Sequence, residues 1–211
     1  MRQAAQGPPA AEQIADALAA RIDYQRADRS LPAVARDFEV LQGRRALIAA
    51  LREESERLGD HPAAIHHLIA DAVLPTTKII TNRFDRGLEQ ALDQVGKPYI
   101  LIVRDTDVPF FDASKVTLIK LQGDLSQPDS LIVTEDDLDS FVARLPTISD
   151  VVRAFFATKS LIFLGYDLAS DAFKRFFRQV TRNLASYRRI AYAITPQPLD
   201  AVEQRYWESQ S

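Results

Sequence analysis

The sequence predicts an α/β protein built on a doubly wound parallel sheet, with a small helical subdomain ahead of it. From residue 77 onward, aliphatic runs alternate with helix-like segments, which is the pattern of strand–helix–strand units. Before Lys78, apolar residues recur at helical spacing and no strand is evident. Three of the aliphatic runs end in polar turns, and ligands of such sheets bind beyond the carboxyl ends of the strands.

Residues 10–74 are predicted to be mostly helical. An alanine-rich helix is expected over 10–21, because Ala is the best helix former. A second helix is expected over 43–58, where leucines and isoleucines recur at helical spacing. Asp60 is expected to cap a third helix that runs to Val73, since Asp favours the N-cap position.

Residues 75–211 carry the predicted α/β core. The candidate strands are 77–81, 99–103, 116–121, 130–134, 160–164 and 189–194. The candidate helices are 86–94, 135–143, 148–158, 169–184 and 199–208. Thr134 is expected to cap the helix over 135–143, and Asp171 is expected to cap the helix that carries Phe173, Phe176 and Phe177. Residues 104–115 follow no sustained period and are interpreted as a loop, with its two Phe side chains turned inward.

Composition excludes several classes of function. The chain of 211 residues fits a single domain, 1–211. It contains no cysteine, which excludes disulfides, a cysteine nucleophile and cysteine-ligated metal sites. No apolar run is long enough to span a bilayer, and the first residues lack the apolar part of a signal peptide. We therefore expect a cytoplasmic protein with no membrane partner.

Two features that suggest ligands have plainer interpretations. His66 and His67 are neighbours on a predicted helix, and neighbouring residues do not share a helix face, so a structural role is preferred over metal binding. The basic segment 173–189 has the composition of a nucleic-acid patch. A solvated helix face opposite a stripe of Phe residues is the preferred account, and the net charge of −3 gives no general attraction to nucleic acid.

The polar turns carry the candidate binding residues. They are Thr81-Asn82-Arg83-Phe84-Asp85, Gln122-Gly123-Asp124 and Gly165-Tyr166-Asp167. The Asn82 amide can orient a hydroxyl, an amide or a water. Asp85 either binds a carboxamide or caps the next helix. Gly123 and Gly165 either admit a ligand close to the backbone or end a strand. The turns are expected to converge on one crevice.

In this order, the segments T-N-x-x-D, K-L-x-G-D and F-L-G-Y-x-L-x-x-D resemble the sirtuin-like family of NAD-binding proteins, over roughly residues 7–208. The likeness is greatest to the prokaryotic branch that lacks zinc and often degrades NAD in antiviral defence. The resemblance implies a Rossmann-like fold, NAD or ADP-ribose as ligand, and no zinc. It places Asn82 at the ribose or the attacking water, Asp85 at the carboxamide, and Gly165 and Asp167 at the adenosine or ribose. It also makes candidate contacts of Thr81, Gly123, Asp124 and Tyr166.

The sequence departs from the family pattern in two places. The family has a His, acting as general base, where this chain has Gln122. A Gln amide cannot accept a proton near neutral pH, and loss of a general base costs on the order of 10² to 10⁴ in rate. Gly7-Pro8-Pro9 looks like the segment that follows the family's first phosphate loop. We therefore expect the first strand and that loop to be missing, in a fragment, a chain with a misassigned start, or a domain cut from a longer protein.

Three hypotheses for function follow. The preferred one is an NAD-degrading hydrolase of the defence type, with Asn82 and Gln122 at the reacting centre. The alternatives are a catalytically impaired sensor of NAD or ADP-ribose, and a protein-interaction module. The resemblance also implies a homo-oligomer, or a fused or partner effector or sensor domain.

Overall fold

A computed structural model describes residues 11–58, 61–166, 168, 170–182, 184, 191–195 and 198–209. The helices are α1 (Ala11–Arg21), α2 (Leu31–Gln42), α3 (Arg44–Leu58), α4 (Ala64–Ala72), α5 (Gly87–Gln94), α6 (Glu135–Asp139), α7 (Phe141–Arg144), α8 (Pro146–Thr158), α9 (Asp171–Thr181) and α10 (Ala201–Glu208). The strands are β1 (Lys78–Thr81), β2 (Tyr99–Ile102), β3 (Val116–Lys120), β4 (Leu161–Leu164) and β5 (Ala191–Ile194). The chain divides into two compact units, Met1–Asp137 and Leu138–Ser211. None of the helices within the described ranges is long and apolar enough to cross a membrane.

The first unit places helices α1 to α4 ahead of a three-stranded parallel sheet of order β1-β3-β2. Strand β3 lies in the middle, with all five of its residues buried. Thr81 of β1 stands opposite Lys120 of β3, and Ile102 of β2 stands opposite Ile119. The carboxyl ends of all three strands therefore lie along one edge of the sheet.

Two apolar clusters hold the first unit together. One joins α1, α2 and α3 and includes Leu18, Val34 and Leu51, all of them fully buried. The other lies between α4, α5 and the sheet, and includes Leu92 and Leu118. The amphipathic helices thus bury their apolar faces on each other and on the sheet, which is the main stabilising contribution in such folds.

The second unit pairs β4 with β5 in parallel and contains helices α7 to α10. Its interior is aromatic. Phe177 contacts Phe156, Phe163, Phe173 and Trp207 with ring centroids 5.1–6.4 Å apart. The parallel strands and alternating helices of both units confirm the predicted α/β, Rossmann-like class.

Two predictions about the core of the chain were wrong. Residues 130–134 form no strand: Leu131, Ile132 and Val133 are buried, but the structure gives this run only one ladder-like bond, from Ile132 N to Gln122 O at 3.2 Å. The run is apolar because Leu131 and Val133 pack into the helical cluster rather than into a sheet. Residues 105–110, expected in a loop, form a 3-10 helix, and Phe110 is 73% exposed rather than turned inward.

The helix boundaries show further differences. The expected helix over 135–143 is broken at Ser140 into α6 and α7. Thr134 caps α6 as predicted, because its Oγ1 accepts a hydrogen bond from Asp137 N at 3.1 Å. The predicted cap of α9, Asp171, is instead the first residue of that helix, and Ser170 caps it. Helix α4 begins later than predicted, after Ala63, and Asp60 lies outside the described residues.

Candidate functional site

Two amide side chains follow neighbouring strands at the carboxyl edge of the first sheet. Leu121 N donates to Thr81 O at 2.8 Å, so the chain leaves β1 and β3 side by side. Asn82 comes directly after Thr81 and is exposed, and Gln122 comes directly after Leu121 and is half-buried. Within the described part of the chain, neither side chain makes a hydrogen bond. An Asn or Gln amide offers both donors and acceptors, so this edge presents unused polar groups to a ligand.

The turn after β1 is held by its own side chains. Thr81 Oγ1 accepts from Arg83 N at 3.1 Å. Asp85 is 8% exposed; its Oδ1 accepts from Gly87 N at 3.0 Å and its Oδ2 accepts from Arg83 Nε at 2.6 Å. Asp85 therefore orders the turn and binds the first amide of α5, although Arg86, and not Asp85, is the N-cap residue of that helix. Oδ2 is also paired with Arg83 Nη2, so both of its lone pairs face that guanidinium, whereas Oδ1 has a second lone pair beyond its bond from Gly87 N.

The turn after β3 is packed against its own backbone. Gly123 has φ +78°, and a Cβ there would lie 2.3 Å from Ser130 O. Asp124 is 1% exposed, and its Oδ1 accepts from Ser126 N at 2.7 Å and from Ser126 Oγ at 2.6 Å. The backbone of this chain thus packs closely against Gly123, and Asp124 is bound to internal partners.

Lys120 is the residue that sequence reasoning missed. It is the last residue of β3 and is fully buried. Its ammonium donates to Asp85 O at 2.5 Å, to Glu89 Oε1 at 2.8 Å and to Asp124 Oδ2 at 2.7 Å. Lysine is almost never fully buried without partners, so a lysine that ends an aliphatic run is a signal that acids lie nearby. Asp124 lies close to Lys120 in the sequence and could have been identified as its partner. Glu89 is distant in the sequence and could not.

The two carboxylates around Lys120 differ in pKa. Burial raises the pKa of Glu89, and Lys120 offsets that only in part. Burial also pushes the pKa of Asp124 upward, but the hydrogen bonds from Lys120 and Ser126 outweigh it, so the pKa of Asp124 lies below its ordinary value. The difference follows from the extra donors that Ser126 supplies to Asp124.

A cleft of about 260 Å³ opens beside the two turns. It is lined by Arg52, Ser55, Glu56, Asp85, Arg86, Leu125 and Ser126. Arg52 Nη2 donates to Leu125 O at 3.0 Å, which fixes one wall to α3. Ligand sites for drug-sized molecules span roughly 300–1,000 Å³, so this cleft accommodates one part of a dinucleotide rather than the whole.

The third predicted turn belongs to the second unit. Gly165 has φ +66°, and a Cβ there would meet no atom of the described residues within 4 Å. The Tyr166 ring lies 5.8 Å from Phe163 and 4.8 Å from Phe173, as part of the aromatic interior. Asp167 lies outside the described residues.

His66 has a structural position. It is 6% exposed, and its Nδ1 accepts from Ala63 N at 3.1 Å. Burial lowers the pKa of His66, which favours the neutral ring that this acceptor role needs. Nowhere in the described ranges do three or more His, Asp or Glu side chains form a group that could hold a metal ion.

Comparisons with known proteins show the family of this chain. The family model described as SIR2-like domain matches residues 77–211, from the start of the first sheet through the second unit. The chain is also 28% identical, over 93 residues, to Defense-associated sirtuin 2 of Bacillus subtilis. That match covers 43% of this chain and only 9% of the Bacillus protein. Since the family match extends over more than half of its residues, the chain belongs to the SIR2-like domain family.

Proposed function

We propose that this protein binds NAD and hydrolyses the bond between nicotinamide and ribose. The observation that carries the proposal is the pair of unused amides, Asn82 and Gln122, at the ends of neighbouring parallel strands. Membership of the SIR2-like domain family supports a dinucleotide ligand, and the name of the Bacillus relative supports a role in defence. A location in the cytoplasm, and assembly as a homo-oligomer or with a fused or partner domain, are part of the same proposal.

The chemistry requires a water to attack ribose C1′ while the electrons of the C1′–N bond leave with nicotinamide. The products are nicotinamide, ADP-ribose and a proton. The transition state resembles an oxocarbenium ion, as in glycoside hydrolysis, so orientation and charge stabilisation contribute beside proton transfer. Asn82 would orient the water or a ribose hydroxyl. Gln122 would donate or accept a hydrogen bond but leave the proton to solvent, which predicts slow turnover.

The remaining residues would bind the two ends of the ligand. Asp85 lines the cleft, and the second lone pair of its Oδ1 would accept the carboxamide N–H of nicotinamide, while Oδ2 keeps its contacts with Arg83. Thr81, Gly123 and Asp124 would act by shaping the turns. By the family resemblance, Gly165, Tyr166 and Asp167 would contact the adenosine or ribose part of NAD. No zinc is required by this scheme.

The second candidate is a sensor that binds NAD or ADP-ribose without turnover. Gln122 favours it, because the amide can hold a ribose hydroxyl but cannot serve as a base.

The test is to incubate the purified chain with NAD and follow release of nicotinamide and ADP-ribose, with Asn82→Ala as the site variant. The control is Gln90→Ala, which removes a half-buried amide on α5, outside the two turns. Release that is lost in Asn82→Ala and kept in Gln90→Ala supports the hydrolase. Thermal stabilisation by ADP-ribose without release supports the sensor. Neither release nor stabilisation would overturn both.

A further inference from the structure

We propose that Lys120 is a positioning residue, which ties together the turns that carry Asn82 and Gln122 and so fixes the two amides relative to each other. Its effect on ligand binding rests on the proposed function above. Its effect on the two turns does not, so the two effects are measured separately.

The Lys120 ammonium is fully satisfied. It has three protons, and the structure gives it three acceptors at 2.5–2.8 Å, with no exposed surface on the side chain. Each partner comes from a different segment. Asp85 O belongs to the turn after β1, Asp124 Oδ2 to the turn after β3, and Glu89 Oε1 to α5.

These contacts lie close in sequence to the two amides. Asp85 follows Asn82 in one short turn, and Asp124 follows Gln122 in the other. Leu125 N also donates to Phe84 O at 3.1 Å, so the two turns lie side by side next to Lys120. A cation that binds both turns sets their separation, and a displacement of about 1 Å in an active site can cost on the order of 10²-fold in rate.

The energetic cost of such a cluster argues for positioning over stability. Burying an ammonium and two carboxylates carries a desolvation penalty that can exceed the attraction between them. Apolar residues of similar volume are often equally or more stabilising in such places. In this chain the cluster lies at the carboxyl edge, beneath the turns of the candidate site, and it bonds directly to their backbone and side chains.

The experiment compares three variants by hydrogen–deuterium exchange and by binding of ADP-ribose. Lys120→Met removes the cation but leaves two buried carboxylates unpaired. The triple variant Lys120→Met/Glu89→Met/Asp124→Asn removes that penalty and keeps an acceptor for Ser126. Leu92→Ala, in the buried cluster between α4, α5 and the sheet, is the control for general loss of stability, because no member of that cluster lies in the two turns.

We expect the triple variant to unfold close to the wild-type temperature, yet to exchange amide protons roughly 10-fold faster in peptides covering 81–87 and 121–127. ADP-ribose binding should weaken by about 10-fold or more in the same variant. Leu92→Ala should raise exchange in α4, which packs in the same cluster, and leave those two turns as in the wild type. If Lys120→Met fails to fold, exchange and binding in the triple variant still test the positioning role of Lys120.

Wild-type exchange in both turns of the triple variant would overturn the positioning role. If the wild-type chain binds neither NAD nor ADP-ribose, the proposed function fails, while the exchange measurement still tests Lys120.

Discussion

Gly87 lies against the ring of His66, so that a Cβ on Gly87 would be 2.6 Å from both Cε1 and Nδ1 of the imidazole. The same Nδ1 accepts from Ala63 N, which holds the buried ring in place at the start of α4. The contact joins α4 to the start of α5, where Asp85 Oδ1 accepts from Gly87 N.

Gly87→Ala should therefore destabilise the first unit by about 1–3 kcal/mol, the usual cost of overpacking a core position. Urea unfolding measures it. In the double variant Gly87→Ala/His66→Ala the added methyl has room, so the two effects should be strongly non-additive. Additive losses would show that the clash with His66 is not the cause.

Gly123→Ala should cost more than the same change at Gly96. Both glycines have positive φ, +78° and +66°, so both changes carry the left-handed penalty of about 1–2 kcal/mol. Among the described residues, a Cβ on Gly96 meets no atom within 4 Å, whereas one on Gly123 would lie 2.3 Å from the backbone oxygen of Ser130. Comparison of the two free energies of unfolding isolates the clash, and equal values would contradict this packing.

Gln122→His should raise the rate of nicotinamide release. The imidazole would supply the general base that the amide lacks, and such a group contributes on the order of 10² to 10⁴ in rate. The assay is release of nicotinamide from NAD, compared at about pH 6 and pH 8, because the gain should appear as the new imidazole loses its proton. Gln122→Asn, which adds no base, is the matched control. An unchanged rate in Gln122→His would argue against an otherwise assembled hydrolase.

Asp137→Asn should flatten the loss of stability in acid. Burial pushes the pKa of Asp137 upward, but hydrogen bonds from Val133 N, Arg44 and Thr134 N outweigh it, so the folded-state pKa lies below the ordinary value. Its contribution is therefore present above the unfolded pKa of about 3.9 and is lost as the pH falls through the lower folded pKa.

Unfolding free energies at about pH 6 and pH 2.5 check this. Between these two pH values, the free energy of unfolding should fall more for the wild type than for Asp137→Asn. At the higher pH the variant should be less stable than the wild type by about 1 kcal/mol, because its helix cap is weaker. Asp129→Asn, at an exposed aspartate of the same unit, should follow the wild type. Parallel curves for wild type and Asp137→Asn would rule out the mechanism.

Phe177→Ala should destabilise the second unit by about 3–5 kcal/mol, because a buried ring with four aromatic neighbours leaves a cavity. Trp207 is the only tryptophan of the chain, and its ring lies 5.1 Å from Phe177, so its fluorescence reports the unfolding of this unit. Tyr192→Ser, at a residue 58% exposed, should change the midpoint little. Equal midpoints for Phe177→Ala and Tyr192→Ser would contradict the packing.

Much of the fold could be predicted because its signals are local. The aliphatic runs at 78–81, 99–102 and 116–120 are strands, since continuous β-branched and aliphatic residues suit a strand buried on both faces. The same signal led to the wrong prediction of a strand at 131–133, where the residues pack on helices. A run of aliphatic residues in the sequence predicts that the segment is buried, but it does not predict whether a sheet or helices cover it.

The sequence by itself determined the α/β class, the polar turns after the strands, and the presence of Gln122 where the sirtuin-like family has a histidine. The tertiary structure decided which turns meet: pairing of β1 with β3 sets Asn82 beside the Gln122 turn. It also decided that Asp85 and Asp124 have internal partners and that Lys120 joins them. The physical reason is that hydrogen bonds and ion pairs depend on distances between segments far apart in the chain, as Lys120 and Glu89 are, and only folding fixes those distances.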